Sequence, residues 1–393
     1  MNAILPGGET KQFLYTGPAV SRYDADDEPP AVDYEAAGEI FAELIKTEFL
    51  DEKVRHPLQA VCIFESGLEA ALAAVYRGGA GNVGRASSTE ETAHLFLQQM
   101  LYRINRLKLF WFDPLSNYDN ENSVYLNKIR SRIESAWQTW ELGLLNIAAL
   151  KRDDPCEGLL RRSAHDLSPI SSPSGLFFRH DMNIAGYCRL LAIASLDGLV
   201  EASQLSRTLG GVSNSIHSMM TRLLVEEYGG GRLNRKHSTF FAAMLNELDM
   251  STEPEAYFHL VPWQVLAGIN HSFLLSERKR FYLRYVGGLL YTEISVPAGF
   301  DNYRAAAERL GLSEAARGYW ELHIQEDQRH GQWMLHDVAL PLATKYPVEA
   351  WEIMLGYDQQ KFFSERSSAA IEHSVRSAEC EAAPGKLACK SAA

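Results

Sequence analysis

Residues 319–334, YWELHIQEDQRHGQWM, set the character of the chain. They contain His323, Asp327 and His330, at offsets of four and seven. An α-helix turns about 100° per residue, so these side chains fall within roughly 60° of one another on one face. One turn further each way the same face reaches Tyr319 and Met334, so two imidazoles and a carboxylate sit in a stripe flanked by bulky residues. Buried without partners, such groups cost roughly 2–7 kcal/mol each. Either the stripe is solvated, or a metal ion takes up its lone pairs.

Upstream, ERKRFYLRYVGGLLYTEISVP places Glu293 on a helix dominated by Phe281, Tyr285, Val286, Leu289 and Leu290, where a carboxylate is expensive unless something binds it. Further back, Glu226 and Glu227 precede the helix-breaking Gly229–Gly231, and His237 opens the next apolar run. The long oily segment DMNIAGYCRLLAIASLDGLVEASQL carries Asp197 and Glu201, each readable as a solvated edge or as a buried ligand.

The periodicity predicts an all-α protein with no strand pattern and no internal repeat. Residues 1–33, rich in Gly, Pro and Asp, are expected to form an irregular arm. Residues 34–150 predict four antiparallel helices, with N-caps near 87–91 and 119–122, and this N-terminal region is a possible dimer interface. Residues 151–179 read as a linker, 180–367 as the main helical bundle and 368–393 as a flexible tail.

Composition removes several classes of function. A net charge of −12 with no strongly basic stripe gives nucleic acid no footprint. The start, MNAILPGGETKQF, lacks a basic region followed by an apolar one, and no run of 18 uncharged apolar residues occurs, so no membrane partner and a cytoplasmic location are expected. Five scattered cysteines form no CxxC pair, which leaves histidine and carboxylate as the metal donors. No GxGxxG, Walker or GxSxG motif is present.

Imidazole and carboxylate suit hard first-row metals, and two iron ions inside a helical bundle draw ligands from about four helices. Glu201, the Glu227/His237 pair, Glu293 and the His323/Asp327/His330 triplet come from four successive helical segments. Four carboxylates balance two Fe(II) ions, leaving a near-neutral cluster that an apolar interior tolerates. Paired ExxH motifs of the ferritin kind are absent from this set.

These motifs, GLVEAS, EEYGGGRLNRKHSTFF, RYVGGLLYTE and HIQEDQRHG, resemble those of the haem-oxygenase-like diiron oxidases and oxygenases over about residues 180–365. The resemblance implies a haem-oxygenase-like bundle holding two iron ions, with O₂ as co-substrate and an external reductant. The implied ligands are Glu201, Glu227, His237, Glu293, His323, Asp327 and His330, with Glu293 the expected bridge. It is closest to the family's N-oxygenating members, although the cupin domain that can follow the bundle is not seen in this sequence. A carboxylate at Glu227, able to move on and off the metal, points to N-oxygenation of an amine, amidine or guanidine nitrogen of a small metabolite, as in natural-product biosynthesis. Oxidative C–C cleavage or desaturation of an amino or fatty acid is the alternative within the family. A haem-binding or non-enzymatic helical protein is the alternative outside it. Glu326 is expected to support His330, and Arg280, Arg284 and Tyr291 are weaker candidates for substrate contact.

Overall fold

The computed structural model describes residues 32–56, 59–76, 87–169 and 172–382, so the expected arm lies almost wholly outside the described residues. The described residues are helical with no β-strand. The N-terminal half contains α1 (Tyr34–Leu44), α2 (Leu50–Lys53), α3 (Gln59–Tyr76), α4 (Ser88–Arg106), α5 (Val124–Gly143) and α6 (Ile147–Leu150). Next come α7 (Pro155–Asp166), α8 (Pro173–His180), α9 (Ile184–Gly198), α10 (Ser203–Ser206), α11 (Ser215–Glu227) and α12 (His237–Glu247). The chain closes with α13 (Trp263–Glu277), α14 (Tyr282–Arg309), α15 (Glu314–Trp333), α16 (Leu340–Lys345) and α17 (Trp351–Ala382). A π-helical turn, Met334–Ala339, joins α15 to α16.

Caps explain several starts. Ser87 accepts from Glu90 N while Glu90 returns a bond to Ser87 N, a capping box that opens α4. Ser123 and Ser313 cap α5 and α15 in the simpler way. The same chemistry corrects two expectations. Residues 151–179 are not an irregular linker: Asp154 and Ser172 act as N-caps and Pro155 and Pro173 fill the first helical positions of α7 and α8. The tail is not flexible throughout, because α17 continues to Ala382 and seats Val375 and Ala378 in the core. Residues 383–393 lie outside the described residues.

The N-terminal helices share one core with the bundle. Phe41, Phe64, Phe96 and Trp137 pack in a cluster that also takes Trp263 and Ala267 from α13 and Phe363 from α17. Buried polar groups fasten the seam: Asn105 donates to Asn270 at 2.9 Å, and Asn270 donates to the Gln98 carbonyl at 2.8 Å. Arg366 of α17 donates to Glu141 of α5 at 2.6 Å. The one described helix with the length and hydropathy to cross a bilayer is α3. It carries Glu65 and Glu69, and it turns Phe64 and Leu68 into this core.

The long helices α14 and α17 cross where each presents a glycine. A Cβ on Gly287 would lie 1.9 Å from the Ile353 carbonyl oxygen, and one on Gly356 would lie 2.0 Å from the Arg284 oxygen. Backbone meets backbone there, so no side chain can yield. Arg284, Arg280 and Tyr291 prove to be parts of this frame. Both arginines pair with Glu352, which is 1% exposed, and the Tyr291 ring meets Tyr357 edge-on.

Gly287→Ala should therefore cost about 3 kcal/mol through overpacking, seen as a lowered denaturant midpoint. A second expectation concerns His94, whose ring stacks on Trp263 at 4.0 Å. Burial, and then the Arg366 charge, push His94 down to about 4. The unfolded chain takes up that proton near pH 6.5, so stability falls as pH drops from about 6.5 to 4, by roughly 3 kcal/mol in all. His94→Phe should shrink that acid loss in denaturant titrations run across the window.

Candidate metal centre

Five segments meet beneath the α14–α17 frame. Helix α9 stops at Gly198, and Glu201 stands in the break before α10 rather than on a helix as expected. The break turns on Ala202, whose φ of 62° is left-handed and disfavoured for a residue with a Cβ. Glu227 ends α11 and His237 begins α12. Two 3₁₀ turns join them, and a Cβ on Gly229, at φ +61°, would strike the Arg235 backbone at 2.4 Å. Glu293 lies mid-helix on α14, four residues before Pro297, which has no N–H to return to the Glu293 carbonyl. His323, Asp327 and His330 line one face of α15.

All seven candidate residues from the sequence converge in one cluster. Donor atoms of Glu201, Glu227, His237 and His323 lie within 4.8 Å of one another, and those of Glu227, Asp327 and His330 do likewise. Glu227 is common to both groups. Glu293 joins through His330, with Oε2 at 3.3 Å from Nδ1. Except for Glu201, which is half-buried, the seven are buried, and His330 is 0% exposed.

Hydrogen bonds outside the cluster aim the imidazoles. His323 Nδ1 lies 2.8 Å from the Tyr319 carbonyl oxygen, which leaves Nε2 to face Glu201 at 2.9 Å. His330 Nε2 lies 3.0 Å from Glu226 Oε2, which leaves Nδ1 facing Glu227, Glu293 and Asp327. His237 Nδ1 faces Glu227 at 2.8 Å and His323 Nε2 at 3.2 Å. Glu326, expected to support His330, lies with Glu226 within 4.8 Å of it and has an oxygen 3.4 Å from His237 Nε2. Tyr319 also donates to Glu201 at 2.9 Å. Sequence reasoning missed the roles of Glu226 and Tyr319. Glu226 adjoins Glu227 in sequence, and nothing local separates the carboxylate that faces the cluster from the one that steadies its histidine.

Protons stand in for cations within this cluster. Burial alone would lower His330, but Glu293, Glu226 and Glu227 outweigh it and raise the imidazole to about 9. Burial likewise opposes His323, whose pKa Glu201, with Asp327 and Glu227, holds well above its ordinary value. Asp327 is driven well upward by burial and then by Glu293, and Glu293 is raised chiefly by burial. Burial would raise Glu227 too, yet its hydrogen bond to His237 and the histidine charges hold it low. Glu201 Oε2, Asp327 Oδ1 and His330 Nδ1 are buried with no hydrogen-bond partner, which costs about 1–3 kcal/mol each. An all-nitrogen and oxygen donor set, rich in carboxylate and short of cations, fits first-row metal ions such as iron.

Residues 188–359, which hold all seven of these side chains, match the family model described as "iron-containing redox enzyme". The match takes in the helical bundle and leaves the N-terminal helices outside it. The match accords with the all-α, haem-oxygenase-like bundle and supports an oxidoreductase. Nitrosourea synthase of Streptomyces achromogenes subsp. streptozoticus is 30% identical over 149 residues, 37% of this chain and 31% of that protein. The matched stretch thus spans about a third of that relative's length.

A cavity of about 360 Å³ opens onto Glu201, Glu227, Glu293, His323 and Asp327. Its other walls are mainly apolar, including Ile193, Leu289, Val296 and Phe300. Asp197 also faces it, and burial, then the Glu201 charge, push that carboxyl up to about 6.

The cluster's electrostatics can be checked without metal. Glu293→Gln should lower the His330 pKa from about 9 toward its ordinary 6.5 in a histidine NMR titration of metal-free protein. An unchanged midpoint would mean that Glu293 does not govern it.

Proposed function

We propose that the cluster holds two iron ions and that the protein is a non-haem diiron, O₂-dependent N-oxygenase. Its substrate would be an amine, amidine or guanidine nitrogen on a small metabolite, with an external reductant sustaining turnover. The observation that carries this reading is the pair of compact donor groups sharing Glu227. Glu201, His237 and His323 would hold one ion with Glu227, and Asp327 and His330 the other, with Glu293 beside His330. Two divalent ions would offset the four carboxylates and replace the protons that now crowd the site. Bound iron supplies the electrons that activate dioxygen.

The protein's own side chains do the rest. Tyr319 and Glu226 fix which imidazole nitrogen of His323 and His330 faces inward, and so keep the donors aimed. Apolar cavity walls exclude water from the reacting nitrogen while the cavity holds the substrate beside the cluster. Glu227, at the end of α11 and before a glycine-rich turn, is the donor best placed to shift as substrate enters. Support for nitrogen as the oxidised atom comes from nitrosourea synthase, whose name denotes a product bearing a nitrogen–oxygen bond.

Anaerobic titration should find two Fe(II) per chain, with affinity rising with pH toward about 9, because His330 must lose its proton to bind. Glu227→Ala or His330→Ala should lower that stoichiometry. With a reductant and air, amines and guanidines should gain 16 mass units on nitrogen, and Glu227→Ala should reduce this at least about 100-fold. No Fe(II) uptake, or a haem absorption band on purification, would sink the reading. A fragmented product without retained oxygen would replace N-oxygenation by oxidative C–C cleavage.

A further inference from the structure

Five carboxylates line the cavity beside the cluster, and no lysine or arginine does. Four of them, Glu201, Glu227, Glu293 and Asp327, belong to the proposed ligand set and are matched by two divalent ions. The fifth, Asp197, remains with its charge unmatched. It forms no ion pair among the described residues; its side chain is exposed, lines the cavity and has Gln204 as a hydrogen-bond partner.

Its place on the helix favours a cation too. Asp197 occupies the last turn of α9, where the carbonyl ends of the helix already make the potential negative and a carboxylate is disfavoured. Helix end and side chain thus add to one another, and both favour a cation. His271 also borders the cavity, 0% exposed, with neither ring nitrogen hydrogen-bonded. Burial, with the Arg284 and Arg366 charges, drives it down to about 3, so it brings no positive charge to the cavity. Ser272, Thr292 and Gln360 add further hydrogen-bonding groups, and the apolar walls suit a methylene stem.

We infer that Asp197 anchors a cationic nitrogen group of the substrate, an ammonium, amidinium or guanidinium on a short apolar stem, in the cavity it shares with the cluster. The inference rests on the diiron reading, since the two ions are what cancel the other four carboxylates. Asp197 then sets specificity by charge, admitting small organic cations and refusing anions of the same size.

The test uses the full chain loaded anaerobically with Fe(II), so that binding is read without turnover. Calorimetry would compare n-pentylamine and butylguanidine with pentanamide and pentanoate. Both cations should bind at least about 10-fold more tightly than the neutral and anionic probes. Asp197→Asn should abolish that preference while leaving Fe(II) stoichiometry unchanged. Asp197→Glu, which carries the carboxylate one methylene further into the cavity, should keep the preference and shift it toward shorter amines. If Asp197→Asn does not fold, the wild-type ranking and the Asp197→Glu shift decide. Equal binding of pentanoate and pentylamine, or cation binding untouched by Asp197→Asn, would overturn the inference while two bound Fe(II) left the diiron reading standing. A chain that takes up no Fe(II) would defeat both.

Discussion

Carboxylates brought together away from water repel one another unless positive charge is placed among them, and the rest of this structure answers to that constraint. Glu201, Glu227, Glu293 and Asp327 arrive from separate segments and face three imidazoles. At a separation near 4 Å, two like charges oppose each other by about 4 kcal/mol even at an effective dielectric of 20. Hydrophobic packing elsewhere must help to hold them in place, because three imidazoles do not match four carboxylates. The glycine crossing of α14 and α17 provides the stiffest part of that frame, and it lies on the same helix as Glu293, less than two turns away.

The N-terminal helices contribute to the frame at a distance. Their core runs without a break into α13 and α17, and those two helices in turn flank the cavity through His271 and Gln360. Residues 34–150 are therefore structurally continuous with the bundle, whatever further surface they offer to a partner. The linker reading of residues 151–179 fails for the same reason: α7 places Arg162 on Asp358 of α17, at 2.7 Å, and Asp166 accepts from Tyr357.

Much of the centre was legible in the sequence because helical geometry fixes it. The spacing of His323, Asp327 and His330 admits one arrangement on a helix, and α15 has it. Glu293 was conspicuous because its neighbours are oily. Glu201 was found, but its setting was not. Its exit from α9 depends on a left-handed Ala202, and no local signal marks an alanine for that conformation. The division of labour between Glu226 and Glu227 depends on which side of α11 meets α15, a tertiary fact. Pro155 and Pro173 were read as breakers where, behind Asp154 and Ser172, they begin helices. The C-terminal turns of α17 show no apolar periodicity, and they are ordered by neighbours: a Cβ on Gly186 of α9 would meet Glu379 at 2.5 Å.

The scatter of the donors along the chain, from Glu201 to His330, has a consequence for biogenesis. No short peptide within that span holds the set, and the unfolded chain cannot present it. On the proposed diiron reading, tight affinity for the ions would belong to the assembled bundle alone, so loading would follow folding and then reinforce it by mass action. On that reading iron supply would govern how long this protein persists in a cell as well as how fast it works, with chains made during scarcity left in the less durable form.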